Sequence, residues 1–162
     1  MPAKRKVKEI MIDIFEYPHV PYWFTLDQVI KILKVFITQK ESPIPFIVLI
    51  FDEQYNLKGL VGLEEIFRGL EMGLVENLEK LDEETVNILF TEKIKDLANK
   101  QVHEIMIPVK EFISTEDTIS KAAYLIIHHK LQVLPVLENK KLVGIIRLKE
   151  IFNIIADQLV KD

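Results

Sequence analysis

Apolar positions along the chain switch between two periods, and the order of the switches predicts the elements. Leu26, Val29, Ile30, Leu33, Phe36 and Ile37 have the three- and four-residue spacing of a helix with one apolar face. Thr25 opens that helix, and Gln28 three residues later completes a capping box. Two short apolar runs follow, 47–51 and 57–61, joined by Asp52-Glu53-Gln54-Tyr55-Asn56, whose Asp and Asn suit a tight turn. They predict a pair of strands, and a closing helix begins near Leu63. The same succession returns later. Ile119, Ala122, Ala123, Ile126 and Ile127 mark a helix, 134–137 and 142–146 two strands, and a closing helix begins near Leu148. Short leading strands are expected over 22–24 and 112–114. Each unit reads strand, helix, strand, strand, helix.

Sequence identity supports this doubling. Val7-Lys8-Glu9-Ile10-Met11-Ile12 matches Val102-His103-Glu104-Ile105-Met106-Ile107 at all but one position. Thr25-Leu26 and Thr118-Ile119 each precede a helical pattern. Gly59, Leu63, Glu65, Ile66 and Phe67 recur at the same spacing as Gly144, Leu148, Glu150, Ile151 and Phe152. Three blocks in one order indicate an internal repeat. The chain divides into a first repeat over 1–73, a helical insert or linker over 74–101, and a second repeat over 102–162. In the insert, Leu74, Leu78 and Leu81 recur at helical spacing, and Asp82 caps a second helix with Val86, Leu89, Phe90, Ile94 and Leu97. The insert reads as an acidic helical hairpin packed on the repeats and dispensable for the core, with docking of a partner as the alternative.

Composition then narrows the function classes. Hydrophobic residues are 49% of a 162-residue chain, enough to suggest that some apolar surface is covered by a second copy. Net charge is -4 and the basic residues are dispersed beyond Lys4, Arg5, Lys6 and Lys8, which argues against nucleic acid as a partner. There is no cysteine, so thiolate metal sites and cysteine nucleophiles drop out. His128 and His129 are adjacent and point to different faces of a helix. No metal site is expected. The longest apolar run, 46–51, is too short to span a bilayer. Charged residues interrupt the chain after its basic start, so no signal peptide is read and the default is a cytoplasmic protein.

The second repeat resembles a cystathionine-β-synthase-type (CBS) domain along its length. The resemblance lies in Val102-His103-Glu104-Ile105-Met106, Thr115-Glu116-Asp117-Thr118, Leu134-Pro135-Val136 and Leu142-Val143-Gly144-Ile145-Ile146. The first repeat is looser. It adds Glu41-Ser42-Pro43-Ile44-Pro45 and has Leu49 where the family usually has proline. The resemblance implies an α/β (α+β) fold of two βαββα repeats packed through their small sheets with pseudo-two-fold symmetry. It also implies clefts that often hold AMP, ADP, ATP or S-adenosylmethionine, dimerisation, and regulation of an effector protein rather than catalysis. An adenine nucleotide is then the ligand, and no cofactor is required.

The family's ligand signature places an acidic residue six positions after a glycine, with a hydroxyl residue three before it. Here the acidic slot holds Glu65 and Glu150, able to accept from both ribose hydroxyls. The alternative is a helix N-terminal carboxylate favoured by the dipole. The hydroxyl slot holds Gly62 and Arg147; Arg147 offers a fork for phosphate, so the second site is expected to favour anionic nucleotides, with a surface ion pair as the alternative for Arg147. Val133, Leu134 and Pro135 should meet adenine, with Ser114 and Thr115 opposite. The expected equivalents in the first repeat are Val48, Leu49 and Phe24, with Tyr22 or Trp23 able to stack; the alternative for these aromatics is a place in the core. The competing function is a structural or interaction module whose clefts no longer bind ligand.

Overall fold

The structure is a computed structural model that describes residues 4–38, 47–72 and 75–161. The prolyl insertion at 41–45 and Leu74 lie outside them, as does the side chain of Ile37. In chain order the regular elements are β1 (Ile12–Asp13), β2 (His19–Pro21), α1 (Leu26–Thr38), β3 (Ile47–Phe51), β4 (Leu57–Gly62), α2 (Leu63–Gly69), α3 (Glu83–Ala98), β5 (Ile107–Pro108), β6 (Ile113–Ser114), α4 (Ile119–His129), β7 (Leu134–Glu138), β8 (Lys141–Ile146) and α5 (Leu148–Lys161). The expected order of strand, helix, strand, strand, helix holds in both copies.

The chain forms two compact units, and they cut across the sequence repeats. One comprises residues 17–109 and the other residues 1–16 with 110–162. In the first, the sheet order is β2-β3-β4-β5. β2 runs parallel to β3, and the β3–β4 hairpin is antiparallel, as is the β4–β5 pair. In the second, the order is β1-β8-β7-β6 with the same directions. The block that opens each repeat therefore supplies an edge strand to the sheet of the other repeat. Ile12 pairs with Ile145, and Ile107 pairs with Leu60.

This exchange explains why methionine and glycine recur together. A Cβ on Gly144 would sit 2.7 Å from the Ile12 carbonyl oxygen and 2.8 Å from Met11 Sδ. On Gly59 it would sit 2.8 Å from the Ile107 carbonyl oxygen and 2.5 Å from Met106 Sδ. Only a residue without a side chain lets the edge strand approach so closely.

The unit of 17–109 has its core around Leu26, Val29, Leu33, Val48, Ile50, Val61, Leu97 and Val102. The other is built on Val7, Ile119, Ala122, Ile126, Leu134, Val136, Ile146 and Ile151. Capping follows the sequence. Thr25 and Gln28 exchange bonds at the head of α1, and Thr118 accepts from Lys121 N at 3.3 Å at the head of α4. Ile30 and Ile127, expected on the apolar faces of α1 and α4, are exposed instead.

Two sequence expectations shift. The leading strand of the first repeat is β2, earlier than 22–24; Phe24 N bonds to the Pro21 carbonyl, so Tyr22, Trp23 and Phe24 form a turn. Parallel pairing with β3 ends at Pro21 opposite Phe51, and this register overrides the aromatic propensity for a strand. The insert is one helix rather than a hairpin: Leu78–Lys80 is only a 3-10 turn, while Asp82 caps α3 by accepting from Thr85 N at 2.7 Å. The insert reaches the core of its unit at its C-terminal end. Leu97 is in the core of its unit, and its Cδ1 would lie 2.9 Å from a Cβ on Gly69.

Candidate ligand-binding site

In each unit the second strand of the hairpin runs directly into a helix, and the third helical residue is a buried or partly buried glutamate. In the unit of 17–109, β4 ends at Gly62, whose backbone is extended, and α2 begins at Leu63. Glu65 turns back so that its Oε2 accepts from Gly62 N at 3.3 Å. It is 3% exposed, and among the described residues no cation pairs with it. The carboxylate thus satisfies one orphan amide of the helix start and keeps further acceptor capacity.

In the other unit the corresponding carboxylate is saturated. Arg147 N donates to Glu150 Oε1 at 3.1 Å. Arg147 Nε donates to Oε1 at 2.9 Å and to Oε2 at 3.1 Å, and Nη2 donates to Oε2 at 2.7 Å. Both side chains are 13% exposed. The expected phosphate fork is therefore folded back on the expected ribose acceptor. The pair is legible in the sequence as opposite charges three residues apart at a helix start, a spacing that brings side chains together.

Strand register places the other expected residues. Leu134 pairs with Ile146, so Val133 and Leu134 lie beside the β8–α5 junction that carries Arg147 and Glu150. All of Val133, Leu134 and Pro135 are buried. Ser114 pairs with Leu137, and Thr115 N bonds to the Leu137 carbonyl at 3.1 Å. Leu137 is three residues beyond Leu134, so Ser114 and Thr115 stand about 10 Å along the strand from that junction. Thr115 is 4% exposed, and Ser114 N donates to Asp117 Oδ2 at 2.9 Å.

The same register corrects the equivalences in the first repeat. Val48 pairs with Val61 as Leu134 does with Ile146, and Leu49 pairs with Leu60 as Pro135 does with Ile145. The counterparts of Val133, Leu134 and Pro135 are thus Ile47, Val48 and Leu49, and Ile47 is the residue that sequence reasoning missed. Val48 and Leu49 are fully buried. Tyr22 N bonds to the Phe51 carbonyl as Thr115 N does to Leu137, so Tyr22 is the counterpart of Thr115. Val102 N bonds to the Phe24 carbonyl as Val7 N does to Asp117, which makes Asp117 the counterpart of Phe24.

The aromatics are held by their own unit. Tyr22 and Phe24 pack on the core, while Trp23 is about half exposed. Tyr22 donates its hydroxyl to Glu53 Oε1 at 2.6 Å. That bond pushes the phenol above its ordinary range and holds the Glu53 carboxyl below its own. The Tyr22 ring meets Trp23 and His103 edge-on, at 5.3 and 5.8 Å between centroids. Among the described residues no group of three or more His, Asp or Glu side chains could hold a metal ion, and no helix is long and apolar enough to cross a membrane.

Two hairpin-centred βαββα units, each completed by an edge strand from the other repeat, define the class of fold as a CBS pair. The family model described as CBS domain matches residues 95–157, so this stretch is a CBS domain. Solved structures extend the fold to the whole chain. A CBS domain-containing protein of unknown function from Bacillus anthracis superposes with a TM-score of 0.68 at 19% identity, covering 96% of each chain. CBSX2 in complex with AMP superposes with a TM-score of 0.63 at 18% identity, covering 97% of this chain and 98% of that one. The cytosolic domain of the Mg2+ channel MgtE in complex with ATP gives a TM-score of 0.59 at 21% identity, over 88% of this chain and 46% of that one. No curated protein matches in sequence.

Proposed function

We propose that this chain is a regulatory module that binds an adenine nucleotide and performs no chemistry of its own. The observation that carries this reading is Glu65, a buried carboxylate at a strand-to-helix turn, bonded to one backbone amide and paired with no cation among the described residues. A ribose offers two adjacent hydroxyl donors to such a group. Gly62 leaves the turn without a side chain, so a ligand can approach its amides. CBSX2 with AMP and the MgtE cytosolic domain with ATP carry adenine nucleotides on the same fold. The ligand class for this chain is AMP, ADP, ATP or S-adenosylmethionine, and the output is an altered contact with an effector protein in the cytoplasm.

A thermal-shift series with those four compounds tests the proposal. A ligand at a hundredfold excess over its Kd should stabilise the protein by about 2.7 kcal/mol. Glu65→Gln should remove most of that shift. No shift with any of the four, and no small molecule released from purified protein, would overturn it.

A second reading rests on Arg147. Its bidentate bond occupies the acidic slot of the second repeat. A module that serves only as an interaction scaffold has no need of an open slot. It predicts that Glu65→Gln and Glu150→Gln leave partner capture unchanged.

A further inference from the structure

We propose that Arg147 is a latch on Glu150, so that the second-repeat site admits only phosphorylated adenine ligands while the first-repeat site also admits the bare nucleoside. The inference rests on the nucleotide reading above and deepens it. Both oxygens of Glu150 already accept from Arg147, through the backbone amide, Nε and Nη2. A ribose diol that reaches Glu150 must displace the guanidinium. If the ligand carries phosphate, the guanidinium exchanges one anion for another and stays bidentate. If the ligand is adenosine, the cation is left without a partner in a site where both side chains are only 13% exposed. Among the described residues Glu65 has no such competitor, and its slot neighbour is Gly62. The two units thus share a turn and a carboxylate but differ in the class of ligand they accept.

The latch differs from a plain phosphate-binding arginine in its effect on a ligand without phosphate. Calorimetric titration of adenosine and of AMP into wild type, Arg147→Gln and Arg147→Lys separates the two. Wild type should take adenosine at the first-repeat site only and AMP at both. Arg147→Gln frees Glu150, so a second adenosine site should emerge, tighter than in wild type by about tenfold to hundredfold, the equivalent of one charged hydrogen bond. AMP should weaken at that site in the same variant. Arg147→Lys keeps the charge without the fork and should fall between, which also covers the case that the glutamine variant folds poorly. An unchanged adenosine isotherm in both variants, with AMP still bound, overturns the latch and leaves the nucleotide reading standing. Absence of binding by adenosine and AMP to all three proteins overturns both.

Discussion

Glu116 shows how single side chains hold the exchanged segment in place. Lys6 and Lys8 both donate to its carboxylate, Lys8 Nζ at 2.9 Å, and so tie the N-terminal segment to the turn between β6 and α4. Hydrogen bonds from Lys6 and then Lys8 hold its pKa at about 2, below the ordinary 4.5. A carboxyl depressed in the folded state stabilises that state above the unfolded value and loses the contribution as pH falls through the folded one. The window here runs from 4.5 down to about 2. All three side chains are about half exposed, so salt screens the effect. Glu116→Gln should therefore lower the melting temperature near neutral pH, and the two proteins should converge as pH drops towards about 2. Parallel melting curves across that range would mean the tether adds nothing. The partners are invisible in the sequence, because Lys6 and Glu116 are 110 positions apart.

Among the elements, α3 departs furthest from its sequence pattern. Its apolar residues suggest a face, yet Ile88, Phe90 and Ile94 are exposed and only Leu97 is fully buried. The helix is anchored at its C-terminal end, where Leu97 meets Gly69 and the Lys100 carbonyl accepts from Leu26 N at 2.8 Å. Leu97→Ala should cost about 2–5 kcal/mol, as for other buried leucines, while Phe90→Ser and Ile94→Ser should change stability by about 0.5 kcal/mol or less. Urea unfolding curves decide this. Equal costs at all three positions would show that the whole face is packed. Periodicity located the helix but not its depth of burial, since a sparse apolar stripe looks the same on an exposed helix and a docked one.

At the scale of the whole molecule, each unit leaves large apolar side chains exposed on its closing helix. Phe67 on α2 is 62% exposed, and Phe152, Ile155 and Leu159 on α5 are 66%, 47% and 70% exposed. Ile151 on α5 and Leu70 after α2 are buried within their own units. Large apolar side chains grouped on one helix mark an interaction face, and we propose that a second copy covers it. A stable dimer buries on the order of 1,500 Å². Sedimentation at micromolar concentration should show a dimer, and Phe152→Glu should shift it to monomer. A wild-type monomer at that concentration would remove the proposal.

Much of the fold was legible in the sequence because it depends on local chemistry. The doubling, the helix caps at Thr25, Asp82 and Thr118, the two hairpins and the glutamates at the starts of α2 and α5 follow from periodicity, capping preference and spacing. Long-range pairing was not legible. Only the tertiary structure decided that each repeat lends its opening strand to the other, that Val48 matches the start of β7 and Ile47 the residue before it, and that α3 docks by one residue. It also decided that Arg147 turns inward onto Glu150, although its spacing allowed that pairing. The physical reason is common to these cases. A strand edge or a charged side chain can be satisfied by any of several partners, and the sequence names the candidates while packing selects one.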